Sequence, residues 1–318
     1  MGNMKIEPID EIIPLTIGNP QVEENLNRFS LLIVDVRNLG SIFIGEIFKD
    51  DKGINKYVRS VVTCFLRQII EDMDAISILI NKSSADPCFL NLRRLFENHI
   101  YLKYILKEKC EERAKAYYVN HLINKRKIAE KEDASTNQGK ILREKLKKDE
   151  LSENFSIPTK ECKSETDKID KILQEPQYQY LKTEFDKQKE IKRTHWYSLD
   201  NKSTSLERLS DFVGCSGRYE ALYRYFSQYS HSENELDNID WQEAGQARLV
   251  QIRNPEHAQL ITQLTLTYGL DSFRIAIQTL KPSCLKCFTQ FYKENIEFNS
   301  SELRNKKLIN VIWASPMT

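Results

Sequence analysis

The sequence predicts an all-α protein. Only 10 glycines and 9 prolines interrupt its 318 residues, and apolar residues recur mainly every three or four positions, which is the period of an amphipathic helix. Few segments alternate between apolar and polar residues as strands do. Together these observations predict a helical bundle with a charged helical insertion and further helices at its C-terminal end.

The N-terminal helices are predicted from continuous apolar stripes. The first is expected over about residues 21–48 and the second over about 56–81. A third helix begins at Asp86 and Pro87, because the Asp86 carboxylate can cap free amides and Pro87 suits the first helical position. It is expected to continue to about residue 131 with a bend.

The second half of the chain carries further helix signals. Gly214 and Gly217 break the helical pattern between two of these segments. The last apolar stretch, KLINVIWA, is expected to form a short strand or an extended docking tail. Helices are predicted over about 177–193, from a cap at Ser203 to Ser205, over about 218–232, and near 255–280 and 283–297.

Composition divides the chain into three parts. Residues 131–170 are rich in charge and poor in large apolar side chains, so we expect an exposed insertion or hinge. A basic arm that contacts RNA is the alternative for this segment. Residues 1–130 and 171–318 are expected to form the N-terminal and C-terminal halves of the helical core.

Bulk charge and targeting signals limit the classes of function. The 47 basic and 46 acidic residues give a formal net charge of +1, so any contact with RNA needs a local patch. Seven scattered cysteines favour reduced thiols. The N-terminus lacks the pattern of a signal peptide, and no run of about 18 apolar residues is present. We therefore expect a cytoplasmic protein that does not span a membrane.

Common cofactor motifs do not occur in the sequence. It lacks a glycine-rich phosphate loop, a nucleophile elbow and an HExxH motif. Cys284 and Cys287 have the spacing of two zinc ligands or a redox pair, but no second ligand pair follows, and packed thiols are the alternative. We expect no cofactor and no metal.

The most informative segment is RYEALYRYFSQYSHSENE, residues 218–235. On a helix, Arg224, Ser227 and His231 share one face. An imidazole can move a proton on or off a ribose hydroxyl, and a guanidinium can hold the phosphate. This pair is the minimum for RNA cleavage without metal. The alternative is a buried aromatic face whose polar tips, including those of Tyr223 and His231, are hydrogen-bonded.

A second polar cluster lies on the third predicted helix. Arg93 and Glu97 are one turn apart there, and a simple ion pair is one interpretation. Polar groups on largely apolar helices need partners when buried, so we expect this cluster to meet the 218–235 segment. Arg93 and Glu97 would then orient the catalytic groups. The residues expected to bind substrate are Tyr101, Tyr223 and Ser227.

These motifs resemble those of a family of bacterial all-helical proteins of unknown function. The shared features are Arg93-x-x-x-Glu97 with a following tyrosine, Trp196, an LxxLxxxxG turn, and Y-x-x-x-Y-x-x-x-S-x-x-x-H. The turn covers Leu206 to Gly214, and the last motif covers Tyr219 to His231. The resemblance extends over about residues 58–233 and implies no particular activity.

The Arg-x6-His element of Arg224 and His231 is also similar to that of the HEPN superfamily, helical proteins that include many metal-independent endoribonucleases of toxin and antiphage systems. This resemblance implies an HEPN-like bundle, Arg224 and His231 as catalytic residues, RNA as substrate, a homodimer, and a partner protein in a defence or toxin operon. The alternatives are a non-catalytic interaction or regulatory module and a nucleotide-binding protein. Accessibility of Arg224 and His231 would favour the enzyme, and burial would favour the module.

Overall fold

The structure, a computed structural model, describes residues 12–13, 18–49, 53–149, 163–190, 195–200, 203–230, 235–241 and 247–309. Over these ranges the fold is all-α, which confirms the predicted fold class. One short antiparallel ribbon, which the sequence did not suggest, is formed by β1 (Ile239–Trp241) and β2 (Ala247–Leu249). Among the helices of these ranges, none combines the length and apolar character of a membrane span.

The helices lie close to the ranges that the sequence predicts. Two π-helical turns, Tyr219–Tyr223 and Tyr292–Ile296, join consecutive helices. The α-helical segments of the described residues are α1 (Pro20–Lys49), α2 (Lys56–Asn81), α3 (Cys88–Lys107), α4 (Cys110–Glu132), α5 (Asn137–Leu146), α6 (Lys163–Leu173), α7 (Pro176–Glu190), α8 (Leu206–Phe212), α9 (Ser216–Arg218), α10 (Arg224–Ser230), α11 (Ala258–Leu280), α12 (Leu285–Phe291) and α13 (Glu297–Asn305).

The chain divides into two compact units. Unit 1 comprises Met1–Ile54, Val62–Glu108 and Val213–Thr318, and unit 2 comprises Asn55–Val61 and Lys109–Phe212. The chain passes between these units after residues 54, 61, 108 and 212. Within unit 2, α4 packs against α5, α6 and α7. Composition predicts divisions after residues 130 and 170, and that organisation stays a prediction.

The core of unit 1 is built around α11, which packs against both α1 and α3. The approach of α1 is very close at Gly40, where an added Cβ would lie 2.2 Å from Cζ of Phe273. Phe273 is fully buried. The buried hydroxyls of Thr262 and Thr265 on α11 donate to backbone carbonyls one turn earlier, at 2.7 Å each. These polar side chains are therefore satisfied within the apolar core.

Unit 2 has its own apolar core. Its buried side chains lie on three helices and belong to Ala116, Val119 and Leu122 of α4, Ile169 and Leu173 of α6, and Tyr178 and Leu181 of α7. The charged α5 is capped by Thr136, whose hydroxyl accepts from the amide of Gly139 at 2.9 Å. Gly139 is the one buried residue within that helix.

The long third helix of the prediction is two helices. Lys109 adopts a left-handed conformation with φ of 48°, which separates α3 from α4. The prediction that Asp86 caps α3 is wrong. Backbone bonds of the preceding turn already engage the amides of Cys88 and Phe89, and the Asp86 carboxylate accepts a hydrogen bond from His257. The cap expected near Ser205 is confirmed, since its hydroxyl accepts from the amide of Arg208 at 3.2 Å.

The C-terminal stretch docks onto unit 1 where it is described. The amide of Leu308 donates to Gln259 at 2.9 Å, and its carbonyl accepts from Asn25 at 3.0 Å. Ile309 is buried. The beginning of the KLINVIWA segment is therefore an extended docking tail, and residues 310–314 lie outside the described residues.

Candidate functional site

The two polar stretches that the sequence singles out meet within unit 1. Arg93 and Glu97 lie one turn apart on α3. Tyr223 is the last residue of the π-helical turn that leads into α10. Helix α10 packs against α3, which brings the Tyr223 hydroxyl between the guanidinium and the carboxylate.

Three side chains form a closed hydrogen-bonded triangle. Arg93 donates to the Tyr223 hydroxyl from Nε at 3.2 Å and from Nη2 at 2.9 Å. The Tyr223 hydroxyl donates to Oε1 of Glu97 at 2.6 Å. Arg93 Nε also lies 3.3 Å from the same carboxylate oxygen. The Arg93 guanidinium stands over the Tyr223 ring, 4.9 Å from its centroid, so a cation–π contact adds to the hydrogen bonds.

Burial sets the protonation of this triangle. Tyr223 is buried, whereas the Arg93 and Glu97 side chains are 24% and 27% exposed. Burial raises the pKa of Tyr223 strongly, and its bond to Glu97 raises it further. Burial lowers the pKa of Arg93, but its contacts with Tyr223 and Glu97 outweigh this and raise it overall. Tyr223 therefore stays protonated at neutral pH and acts as a hydrogen-bond donor, not as an acid or base.

The π-helical turn determines which residue faces α3. It places Tyr219 and Tyr223 in a stacked pair with ring centroids 4.9 Å apart, and the amide of Arg224 bonds to the carbonyl of Tyr219, five residues earlier. Such a turn inserts one residue into the helical phase. Tyr223 and Phe226 consequently point towards α3, where Phe226 stacks on Phe89 at 5.4 Å.

Arg224 points away from α3. Its side chain is 56% exposed and Nε forms an ion pair with Oε2 of Glu220 at 2.8 Å. Ser227, which the sequence assigned to substrate binding, donates its hydroxyl to the carbonyl of Tyr223 at 2.9 Å. Tyr225 contacts Phe89 edge-on at 5.7 Å. Arg224 is thus accessible to an anionic ligand, and the assignment of Ser227 to substrate binding stays a prediction.

His231 and Tyr101 are the other two predicted site residues. His231 lies outside the described residues. Tyr101 continues the row of Arg93 and Glu97 along α3, and its ring contacts Phe65 at 6.0 Å. Its place on the same helical row is therefore clear, and its assignment to substrate binding stays a prediction.

The similar Arg-to-His spacing on α3, Arg94 and His99, does not form a site. Arg94 donates to the buried carboxylate of Asp72 at 2.6 Å. His99 is fully buried and bonds to Ser272 at 2.9 Å. Burial lowers the pKa of His99 below its usual value, and the neighbouring Asp271 only partly offsets this effect. Both residues therefore serve the packing of unit 1.

Sequence reasoning missed a carboxylate–imidazole pair beside the same helices. His257, just before α11, bonds through Nδ1 to Oδ1 of Asp86 at 2.9 Å. The His257 ring contacts Phe89 at 5.3 Å, and Phe89 also packs against Tyr225 and Phe226. The residues of the pair are 171 positions apart, and no local motif signals their approach.

No further metal ligands accompany the cysteine pair in the described part of the chain. Cys284 and Cys287 are free thiols, the second of them exposed. No group of three or more histidine, cysteine or acidic side chains among the described residues is arranged to hold a metal ion. A zinc site at this pair therefore receives no support from the geometry.

Comparison with known proteins adds a family but no activity. No curated protein and no solved structure matches the chain. The model of one family of unknown function, DUF5677, matches residues 59–245. This match covers more than half of the chain and includes Arg93, Glu97, Tyr223 and His231. The protein therefore belongs to the DUF5677 family, a family of unknown function.

Proposed function

We propose that this protein is a metal-independent endoribonuclease or RNA-processing enzyme of the HEPN type, in which Arg224 binds the reacting phosphate and His231 transfers a proton. The proposal extends to a homodimer, a cytoplasmic location and a role in antiphage defence or a toxin system, all of which derive from the resemblance of the Arg-x6-His element. Arg93 and Glu97 act through Tyr223 as positioning residues.

The exposure of Arg224 is the observation that carries the proposal. Its neighbour Tyr223 is fixed by hydrogen bonds to both Arg93 and Glu97, so the backbone at Arg224, the first residue of α10, has a defined position relative to α3. The Arg224 side chain is 56% exposed. A cation on a rigid helix that remains open to solvent is the arrangement that binds a phosphate.

The ion pair between Arg224 and Glu220 does not prevent such binding. An exposed ion pair of the i, i+4 type is worth only about 0.3–0.5 kcal/mol, so Glu220 is readily exchanged for a phosphate group. A guanidinium can donate two parallel hydrogen bonds to phosphate oxygens. It would thereby stabilise the charge that grows on the phosphate in the transition state.

The chemistry needs no bound metal. A base takes the proton of the ribose 2′-hydroxyl, and its oxygen forms a bond to the neighbouring phosphorus. The bond from phosphorus to the 5′-oxygen then breaks, which leaves a 2′,3′-cyclic phosphate and a 5′-hydroxyl. His231 can serve as the base because an imidazole titrates near neutral pH.

A non-catalytic interaction or regulatory module is the second candidate. The observation that favours it is the complete hydrogen bonding of the Arg93–Glu97–Tyr223 triangle. Polar groups that satisfy one another's hydrogen bonds in this way can have a purely structural role, which is to hold α3 against α10. The two candidates differ in what they require of Arg224 and His231, because only the enzyme needs both side chains for turnover.

The test is to incubate the purified full chain with mixed RNA in a metal chelator. We expect products that end in a 2′,3′-cyclic phosphate from the wild type, and at least about a 100-fold loss of rate in Arg224→Ala and His231→Ala. Melting temperatures of all variants are measured in parallel, because a loss of folding would imitate a loss of catalysis.

Matched controls exist within the chain. Arg67 forms the same i, i+4 pair with Glu71 at 2.8 Å and is 72% exposed, so Arg67→Ala should cleave RNA at the wild-type rate. His121 is exposed and His121→Ala should behave likewise. Intact RNA with the wild type, or cleavage that both site variants retain, would reject the enzyme and favour the interaction module.

A further inference from the structure

We propose that a lysine-rich surface on α5 and the end of α4 binds the phosphodiester backbone of RNA. The choice of RNA among polyanions rests on the proposed function. The surface itself lies wholly within unit 2 and involves neither Arg224 nor His231. This lysine face consists of six exposed side chains, those of Lys127, Lys131, Lys140, Lys145, Lys147 and Lys148.

The charge of this part of the chain departs from that of the whole protein. Residues 125–149 contain nine basic and five acidic side chains, whereas the full chain has 47 basic and 46 acidic residues. A nearly neutral protein creates little long-range attraction for a polyanion, so binding depends on a local excess of positive charge. The lysine face supplies such an excess.

The lysines of this face are not neutralised by the protein. Among the described residues, none of the six forms an ion pair with a carboxylate. Basic side chains just before them on α4 do form such pairs, Lys125 with Glu165 at 2.8 Å and Arg126 with Asp170 at 2.7 Å. The ammonium groups of the lysine face are therefore available to external phosphates.

The connection between α4 and α5 is tightly bonded. Arg143 donates from Nη2 to the carbonyl of Glu132 at 2.8 Å and from Nη1 to that of Gly139 at 3.2 Å. A Cβ added at Gly139 would lie 1.8 Å from the carbonyl oxygen of Asp133, so this approach requires glycine. The two helices thus hold their lysines in a defined arrangement.

The spacing of the lysines suits a repeating chain of phosphates. Lys140 and Lys147 are seven residues apart, so they share one side of α5 about 10 Å apart along its axis. Lys127 and Lys131 are one turn apart on α4, about 6 Å along the axis. One exposed carboxylate, that of Glu144, lies between Lys140 and Lys147 and leaves the face positive. Lysine binds phosphate as a point charge, so this contact would be independent of base sequence.

Interaction with the helix dipole is the competing explanation for these lysines. It accounts for Lys145, Lys147 and Lys148, because cations are stabilised at the C-terminal end of a helix. It does not account for Lys140, which closes the first turn of α5. That turn contains no acidic residue, although the dipole favours negative charge there.

The experiment measures binding of a short labelled RNA by fluorescence anisotropy, with the purified full chain in a chelator. The RNA carries 2′-O-methyl groups, which block the attacking hydroxyl and prevent cleavage. Each phosphate contact contributes about 0.7 to the slope of log affinity against log salt concentration between about 50 and 200 mM. We expect Lys140→Gln/Lys147→Gln to bind at least about fivefold more weakly at the lowest salt, with a slope that is shallower by about 1.4.

A matched control lies outside the lysine face. Lys286 and Lys293 are also exposed and seven residues apart, so Lys286→Gln/Lys293→Gln removes the same charge and should bind like the wild type. The second pair, Lys127→Gln/Lys131→Gln, covers the case in which the first variant does not fold. It should weaken binding and flatten the salt dependence to a similar extent.

Wild-type affinity in both variants of the lysine face, or equal weakening in the control, would overturn this inference. A poly-glutamate peptide that binds through these lysines when RNA does not would also overturn it, in favour of an acidic protein partner. Binding of RNA through the lysine face by a protein that never cleaves ordinary RNA would support this inference and reject the proposed enzyme.

Discussion

The hydroxyl of Tyr223 donates to Oε1 of Glu97 at 2.6 Å, across 126 residues of chain. Because Arg93 donates to the same hydroxyl, one phenol group joins α3 to the helix that carries Arg224. This bond is partly buried, and it joins Glu97 on α3 to Tyr223 on the π-helical turn that leads into α10. The position of the candidate phosphate-binding residue therefore depends on a tertiary contact that can be tested separately from catalysis.

Removing only this hydroxyl should destabilise unit 1. Tyr223→Phe keeps the ring beneath the Arg93 guanidinium but leaves Arg93 and Glu97 without their shared partner. The loss of a hydrogen bond to a charged group costs about 1.5–3 kcal/mol. We expect the free energy of unfolding, measured with urea, to fall by this amount. Tyr180→Phe is the control, because Tyr180 is exposed and its change should be close to zero.

Similar free energies of unfolding for Tyr223→Phe and the wild type would contradict the importance of the triangle. If RNA cleavage falls in Tyr223→Phe while the melting temperature falls only slightly, the triangle positions Arg224. A loss of stability with unchanged cleavage per folded molecule would instead assign it to packing alone. The two outcomes are separated by activity measured well below the melting temperature.

Sequence patterns predicted the helices well because their apolar stripes are local. The second helix was expected over residues 56–81 and is observed at Lys56–Asn81. The break at Lys109 was expected only as a bend, since its left-handed backbone carries neither a glycine nor a proline that would mark it. The ribbon of β1 and β2 escaped notice because three-residue strands are too short to show alternation.

The candidate site was predicted in part. Polar groups on two apolar helices suggested that they meet, and Tyr223 does contact Arg93 and Glu97. The identity of the contacting residue depends on the π-helical turn at Tyr219–Tyr223, which shifts the helical phase and has no sequence signature. The pair of Asp86 and His257 depends on tertiary packing alone. Local patterns thus locate helical faces, but not the residue that each face presents.

The close contact between α1 and α11 predicts opposite effects for two glycines on the same helix. An added Cβ at Gly40 would lie 2.2 Å from Phe273, whereas nothing lies within 4 Å of one at Gly45. Overpacking against a fully buried ring costs about 1–3 kcal/mol, but alanine gains about 1 kcal/mol over glycine in a helix. We expect Gly40→Ala to lower the urea midpoint and Gly45→Ala to raise it. Two changes of the same sign would contradict this packing.

Asp72 should make unit 1 more stable in mild acid. Its side chain is fully buried, and burial raises its pKa to about 6 although Arg94 and Asn98 act against this. The folded state then binds the proton more tightly than the unfolded chain. The resulting stabilisation is present below pH 4 and is lost as the pH rises through 6. Relative to that of Asp72→Asn, the free energy of unfolding of the wild type should rise by up to about 3 kcal/mol as the pH falls from 7 to 4.

Urea unfolding of the wild type and of Asp72→Asn between pH 4 and pH 7 gives the difference between their free energies of unfolding. Contributions from other titrating groups cancel in this difference. A difference that does not change with pH would mean that the pKa of Asp72 is the same in both states. A difference of opposite sign would mean that the ion pair with Arg94 outweighs burial. The titration midpoint of the Asp72 carboxyl, followed by NMR in the folded protein, distinguishes these cases directly.

The pair of His257 and Asp86 predicts a dependence of the same sign at higher pH. Because the pKa of His257 is raised in the folded state, its stabilisation is complete below the unfolded value near 6.5, provided that Asp86 is ionised, and is lost as the pH rises through the raised value. Both side chains are about one-third exposed, so we expect only about 0.5–1 kcal/mol. The free energy of unfolding of the wild type should therefore exceed that of His257→Gln by more at pH 5.5 than at pH 9. An equal difference at both pH values would mean that the pKa of His257 is the same in the folded and unfolded states.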